Sequence, residues 1–206
     1  MSFDLINGDS NNQRWIEPIV LLGKHVTLEP LERRHLNGLQ GACRDGQLWK
    51  LWYTQVPSPE TMQSYISTAI NQRDHHGEMP FAIIEHKTNK VIGSTRYLNV
   101  DEQNRRLEIG YTWYASSYQR TVMNTECKLL LLAHAFEQLS SIAVEFRTHW
   151  INHRSRKAIE RLGAKQDGVL RNHTQSPEGD YRDTVVYSII NQEWPMVKTH
   201  LNYLLS

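Results

Sequence analysis

The run RLEIGYTWYASSYQRTVMNTECKLLLLAHAFEQL, residues 106–139, decides the fold. Its opening alternates: Leu107, Ile109, Tyr111 and Trp113 interleave with Arg106, Glu108, Gly110 and Thr112, the period of two expected of a strand with unlike faces. On that alternation Glu108 and Thr112 share a face. After Ser116 and Ser117 comes the polar run Gln119-Arg120-Thr121, and then Leu130, Leu131, His134 and Leu139 return near helical spacing. A strand feeding a helix through a polar turn leaves the first N–H groups of that helix unpaired and aimed at the junction, where an anion is well held. Neither G-x-x-x-x-G-K-[ST] nor G-x-G-x-x-G occurs in the chain, so P-loop and Rossmann chemistry lose their main support.

Downstream, Val144, Phe146 and Thr148 alternate with Glu145, Arg147 and His149 as another strand. Asn152 then opens a helix with Ser155, Ile159 and Leu162 along one side, and Gly163 closes it, a good N-cap and a good C-terminal stop. Upstream, residues 81–85 and 91–98 read as a hairpin around KTNK, and a second turn over 101–105 leads into the opening stretch. Before them, HVTLEPL (25–31) reads as a strand and 31–43 as a short amphipathic helix with Leu36 and Leu39 inward. An aromatic cluster, Trp49, Leu51, Trp52 and Tyr53, precedes Ser58-Pro59-Glu60, which starts a helix carrying Met62, Tyr65, Ile66 and Ala69. The last third holds strands at 165–171 and 181–190 around NHTQSPEGD, then an apolar helix with Val197, Leu201, Leu204 and Leu205, whose exposed side would suit a homodimer. Three adjacent antiparallel strands, then helix, strand, helix and two more strands, predict an α+β fold. Its sheet is mixed and mostly antiparallel, of about seven strands with flanking helices, and the strands of Glu108 and Val144 form its parallel pair.

A chain of 206 residues makes one domain, here 21–206, behind an N-terminal arm (1–20) whose Gly, Asp, Ser and Asn suit either a flexible tail or an added strand. With 23 basic against 22 acidic side chains the net charge is +1, which gives no overall electrostatic case for nucleic acid or an anionic membrane. Cys43 and Cys127 are too few for a disulfide framework, so a reducing, cytoplasmic setting fits. The N-terminus lacks the basic and apolar segments of a secretory signal, and the longest aliphatic run, Leu129–Leu132, is far short of a membrane span. The histidine pairs 149/153 and 75/76 lack a third ligand, so no metal is expected, and no G-x-S-x-G elbow is present.

The block QRTVMNTE, preceded by EIGYTWYA and followed by NHRSRKAIERLGAKQDG, resembles the coenzyme-binding core of the GCN5-related N-acetyltransferase (GNAT) superfamily, most closely its ribosomal-protein N-terminal acetyltransferase branch. The resemblance spans about Leu22 to Leu205 and implies a parallel strand pair that splays to admit acetyl-CoA. It implies that Thr112, Trp113, Tyr114, Gln119, Arg120, Thr121, Val122, Met123, Asn124 and Thr125 hold the coenzyme, the pyrophosphate resting on backbone amides of the junction. Asn152, Ser155 and Arg156 would meet its pantetheine arm, sulfur and a phosphate, and Trp49, Trp52 and Tyr53 would contact the acceptor. Val122 and Asn124 stand where the family carries glycine or alanine.

Amide formation requires an amine to lose a proton, since a lysine-like amine has a pKa of about 10.4. Glu108 can take that proton directly or through a water, a backbone N–H near Trp113 can stabilise the developing oxyanion, and Ser155 can return a proton to the sulfur. The implied activity is acetyl transfer from acetyl-CoA to a primary amine, a protein N-terminus or a small molecule, without acyl-enzyme or metal. The second reading is a binding module that kept the fold but not the chemistry, motivated by Val122 and Asn124.

Overall fold

In the computed structural model, which describes residues 14–176 and 179–206, eight strands form a single sheet. They are β1 (Leu21–Leu22), β2 (Val26–Pro30), β3 (Met79–Glu85), β4 (Lys90–Asp101), β5 (Arg106–Tyr114), β6 (Ala143–His149), β7 (Lys165–Gln175) and β8 (Tyr181–Ile190). The order is β1-β2-β3-β4-β5-β6-β8-β7, and every neighbouring pair is antiparallel except β5 with β6. The mixed, mostly antiparallel α+β architecture is the one the alternation predicts, with two-residue β1 as the additional strand.

Among the described residues five α-helices flank the sheet: α1 (Leu36–Arg44), α2 (Met62–His76), α3 (Val122–Ala133, continued by a π-helical segment His134–Gln138), α4 (His153–Glu160) and α5 (Trp194–Leu205). The strand alternation sorts them onto two faces. Phe81 and Ile83 join the core that α3, α4 and α5 cover, whereas Ala82 between them joins the core under α1 and α2. In α3 the stripe Cys127, Leu131, Leu132 and Ala135 is buried, each leucine contributing about 1.5–3 kcal/mol. Both cysteines are free and buried, and no described helix is long and apolar enough to cross a membrane.

Several elements differ from the expectation. The helix expected over 31–43 begins at Leu36 after a 3-10 turn, and the one after Ser58 begins at Met62, because Ser58 and Thr61 first close a turn through their hydroxyls. The apolar stripe of α5 is not free for a partner: Trp194, Val197 and Leu201 are buried against this chain's own core, and the exposed Met196 and Tyr203 lie on the opposite side. Of the expected arm, residues 1–13 lie outside those described. Residues 14–20 pack on the domain: Ile16 is buried, the Trp15 indole donates to the Leu139 carbonyl, and Arg14 donates to the carbonyls of Arg73 and Asp74.

The largest departure lies inside β5. Gly110 pairs with Arg96 and Trp113 with Ser94, so Tyr111 and Thr112 together oppose Thr95. This is a β-bulge, and Tyr111 within it takes left-handed backbone (φ 49°). The inserted residue inverts the alternation. Glu108, Gly110 and Tyr111 face the α1/α2 side, while Thr112 turns to the α3 side, where its hydroxyl meets those of Thr95 (2.8 Å) and the Lys128 amine (2.7 Å). Glu108 and Thr112 therefore do not share a face.

Candidate active site

Parallel pairing of β5 with β6 covers Arg106↔Ala143, Leu107↔Val144 and Glu108↔Glu145, and stops there. Beyond Glu108 the strands part: β5 continues against β4 and β6 against β8, leaving a cleft between them whose facing backbone groups have lost each other as partners. Both crossover helices start at its open end, since α3 follows β5 and α4 follows β6.

At the start of α3, Thr121 is the cap, its hydroxyl accepting from the Met123 amide (3.3 Å). Arg120 before it is left-handed (φ 60°), and Val122 and Asn124 lie in the first turn. Gln119 ties the loop back: its Nε2 donates to the Tyr114 carbonyl (3.1 Å), and its Oε1 accepts from Arg154 (2.9 Å). At the start of α4, Asn152 caps by accepting from the Ser155 amide (3.1 Å), with Ser155 half-buried, and Gly163 ends that segment with a left-handed φ of 98°. Arg156 turns away from the junction. Its Nε donates to the Tyr187 hydroxyl (3.1 Å), and its guanidinium lies 4.5 Å over the Trp150 ring. Two other arginines of this segment reach across: Arg154 of α4 to Gln119 in the loop before α3, and Arg161, just after α4, to Thr125 Oγ1 of α3 (2.8 Å).

This arrangement fits a donor with an anionic diphosphate and a peptide-like arm. The first-turn amides of α3 and the guanidinium of Arg154 meet at the open end, and the parted strands offer amides and carbonyls along the cleft. Trp113 and Tyr114 are buried in the two cores on opposite faces, so their contribution to a ligand is through backbone.

Glu108 sits where the strands begin to part and is only 5 % exposed. Its Oε2 accepts from Asn99 Nδ2 (2.7 Å) and lies 3.3 Å from Arg147 Nε, while the neighbouring Arg106 pairs with Glu145 (2.7 Å). Burial raises the Glu108 pKa above the usual carboxylate value, outweighing the opposing pull of Asn99 and Arg147. The carboxylate leans over Gly110, where a Cβ would come within 3.2 Å of its Oε1. Glycine here leaves the carboxylate room on the α1/α2 face.

On that face lies a cavity of about 310 Å³ lined by Pro57, Thr61, Ser64, Tyr65, Thr68, Arg96 and Tyr111. Trp49, Trp52 and Tyr53 do not line it. Trp49 packs partly buried against the α1/α2 core, whereas Trp52 is largely exposed, edge-on to Tyr53 (5.6 Å) and to His149 (5.5 Å). That contact lays the aromatic loop over the C-terminal end of β6, at the cleft mouth. Sequence reasoning missed Arg96 and Tyr65, which nothing in their local pattern distinguishes.

It also missed Lys128, on the buried stripe of α3. Its amine bridges the cleft from Thr112 on β5 to within 6.0 Å of the Phe146 ring centre on β6, with no carboxylate partner among the described residues, and burial pulls its pKa down to about 7. Its position is legible after the fact: Lys128 lies three residues from both Thr125 and Leu131. Among the described residues no three His, Cys, Asp or Glu side chains gather as metal ligands would.

Residues 25–165 match the model of the acetyltransferase (GNAT) domain, well over half the chain. The chain belongs to the GNAT acetyltransferases. Among relatives of this acetyltransferase, one from Bacillus subtilis (strain 168) described as "Putative ribosomal N-acetyltransferase YdaF" is 26% identical over 179 residues, covering 84% of this chain and 95% of its own. The crystal structure of a GCN5-related N-acetyltransferase from Brucella melitensis superposes with a TM-score of 0.83 at 27% identity, covering 93% of this chain and 87% of that one. A crystal structure from T. thermophilus, described as that of a "putative acetyltransferase", gives 0.81 at 34% identity, over 93% of this chain and 100% of that one. The protein is thus an acetyl-CoA-dependent acetyltransferase.

Proposed function

We propose that this acetyltransferase moves the acetyl group of acetyl-CoA to a primary amine by direct attack, with Glu108 as general base and Ser155 as proton donor to the leaving sulfur. The thioester C–S bond breaks as the amide C–N bond forms. The amine proton goes to Glu108, directly or through a water, the departing thiolate takes the Ser155 hydroxyl proton, and solvent then carries the proton from Glu108 back to Ser155, so that both groups begin the next turnover as they began this one. The observation that carries the reading is the placement of Glu108: buried where β5 and β6 part, leaning over Gly110 towards the cavity side, with a pKa raised by burial. A raised carboxylate pKa makes a stronger base. The B. subtilis relative is described as a putative ribosomal N-acetyltransferase; for this chain a protein N-terminus and a small-molecule amine are the two acceptor classes.

The test is Glu108→Gln. We expect kcat/KM to fall by about 10²–10⁴-fold with acetyl-CoA affinity unchanged by calorimetry. In the wild type kcat/KM should fall as pH drops through a value above the ordinary carboxylate range, because the basic form is the active one. Undiminished turnover in the glutamine variant would remove Glu108 from the mechanism.

A further inference from the structure

We propose that the acceptor is a small zwitterion, an amine bearing its own carboxylate as a free amino acid does, and that Arg96 recognises the carboxylate. The inference rests on the acetyl-transfer reading above and narrows its acceptor.

Arg96 is 4 % exposed and forms part of the cavity wall. Of its three guanidinium nitrogens, Nη1 alone has a hydrogen-bond partner among the described residues, Glu78 Oε2 at 2.8 Å. Its Nε is buried with no partner. The guanidinium lies over two aromatic rings, its central carbon 4.4 Å from the Tyr111 centroid and 5.7 Å from that of Tyr65. Tyr111 reaches this position only because the bulge turns it to the α1/α2 face. Nε and Nη2 form the side-on edge of the fork, the geometry that takes a carboxylate through two parallel hydrogen bonds. A buried donor without a partner is costly to maintain, and an oxygen pair from a ligand in the cavity completes the set.

Charge balance selects the rest of the molecule. On this face Glu78 offsets Arg96, and Arg147 offsets Glu108. A ligand carrying only a carboxylate would add an unbalanced negative charge beside Glu78, and a simple amine would leave Arg96 Nε unpaired. A zwitterion brings no net charge into the site and answers both ends. The register sets its span: Arg96 lies directly across the ladder from Gly110, over which the Glu108 carboxylate leans, so guanidinium and proposed base flank one spot on the backbone. A cavity of about 310 Å³ is at the small end of ligand sites, the scale of an amino acid. The N-terminal residue of a protein carries an amide where a free amino acid has its carboxylate, and an amide has one acceptor oxygen where the two N–H groups of the fork call for two.

The experiment compares kcat/KM, read from release of the CoA thiol, for free α-amino acids, their carboxamides, the matching decarboxylated amines and ribosomal-protein N-terminal peptides. The wild type should prefer the best free amino acid over its carboxamide by at least about tenfold, the worth of a charge-assisted hydrogen bond. In Arg96→Gln that ratio should collapse towards one, with acetyl-CoA affinity unchanged, and Arg96→Lys should recover only part of it. Calorimetric binding of the preferred amino acid to CoA-saturated protein should be present in the wild type and lost in Arg96→Gln. Equal rates on acid and carboxamide, preference for peptides over every free amino acid, or discrimination that survives in a folded Arg96→Gln would overturn the proposal. The wild-type comparison holds even if the variants do not fold. Acetylation of amines without regard to a carboxylate refutes this inference alone; failure to bind acetyl-CoA or to acetylate any amine refutes the acetyl-transfer reading beneath it.

Discussion

Lys128→Met should make the protein more stable, and by an amount that depends on pH. The wild-type amine is buried against Thr112 and Phe146 with its pKa lowered from 10.5 to about 7. The unfolded chain binds the more protons between those values, so wild-type stability rises with pH through the window and is lowest below it. At about 1.36 kcal/mol per unit, the burden of the buried ammonium is roughly 4 kcal/mol at pH 7 and roughly 2 kcal/mol at pH 9. Methionine fills a similar volume without a charge, and the Thr112 hydroxyl keeps its bond to Thr95. The neighbouring titratable group on the same helix, Cys127, is pushed by burial up to about 12 and stays a thiol throughout. Urea denaturation of both proteins at pH 7 and pH 9 would read the difference, taken as variant minus wild type so that other titrations cancel. A variant no more stable at pH 7, or an advantage that does not shrink by pH 9, would show that the amine keeps its charge at little cost and that the cleft is wetter than its burial indicates.

Val122→Gly should leave the acetyl-CoA dissociation constant within about threefold, because Val122 is exposed at the first turn and backbone donors do not depend on its side chain; tightening of tenfold, about 1.4 kcal/mol, would show obstruction. Arg154→Met should weaken acetyl-CoA binding by about five- to tenfold, more at low salt than at high, with calorimetry at two ionic strengths as the check. Glu126→Ala should cost about 3 kcal/mol or more in urea denaturation, since its carboxylate accepts from the amides of Lys24, His25 and Val26 and would leave three donors without it. A loss below about 1 kcal/mol would mean that water replaces the carboxylate at that turn.

Much of the fold was legible because burial on two faces imposes a local period. The strands of Phe81, Leu107 and Val144 and the α3 stripe each announce themselves within a few residues, and caps such as Thr121 and Asn152 punctuate them. The bulge at Tyr111 was not legible. Tyr and Thr both suit a strand, so LEIGYTWY alternates without a visible break, and the inserted residue shows only as a mismatch of register with β4. That one slip moved Thr112 away from Glu108 and brought Tyr111 to Arg96. The same limit hid the cavity, since Tyr65, Arg96 and Tyr111 come from three elements and meet only through packing. Arg156 illustrates the converse: proximity to Ser155 in the chain suggested a phosphate ligand, yet one helical step directs it to Trp150 and Tyr187, and Arg154 takes the place at the junction.

The three-rung seam between β5 and β6 has a mechanical meaning. On one side β1 to β5 are laced by antiparallel ladders, on the other β6, β8 and β7 are laced likewise, and between them stand the pairs from Arg106 to Glu108, braced by the ion pairs of Arg106 with Glu145 and Arg147 with Glu108. The domain is therefore two stiff plates joined at a short hinge, with α3, which runs from β5 to β6, as the strap. Thermal breathing and applied force should both concentrate at this line, so amide exchange along Ile109–Trp113 and Phe146–His149 should outpace that of the outer ladders. A donor lying across the gap would act as a splint, slowing exchange on both plates at once.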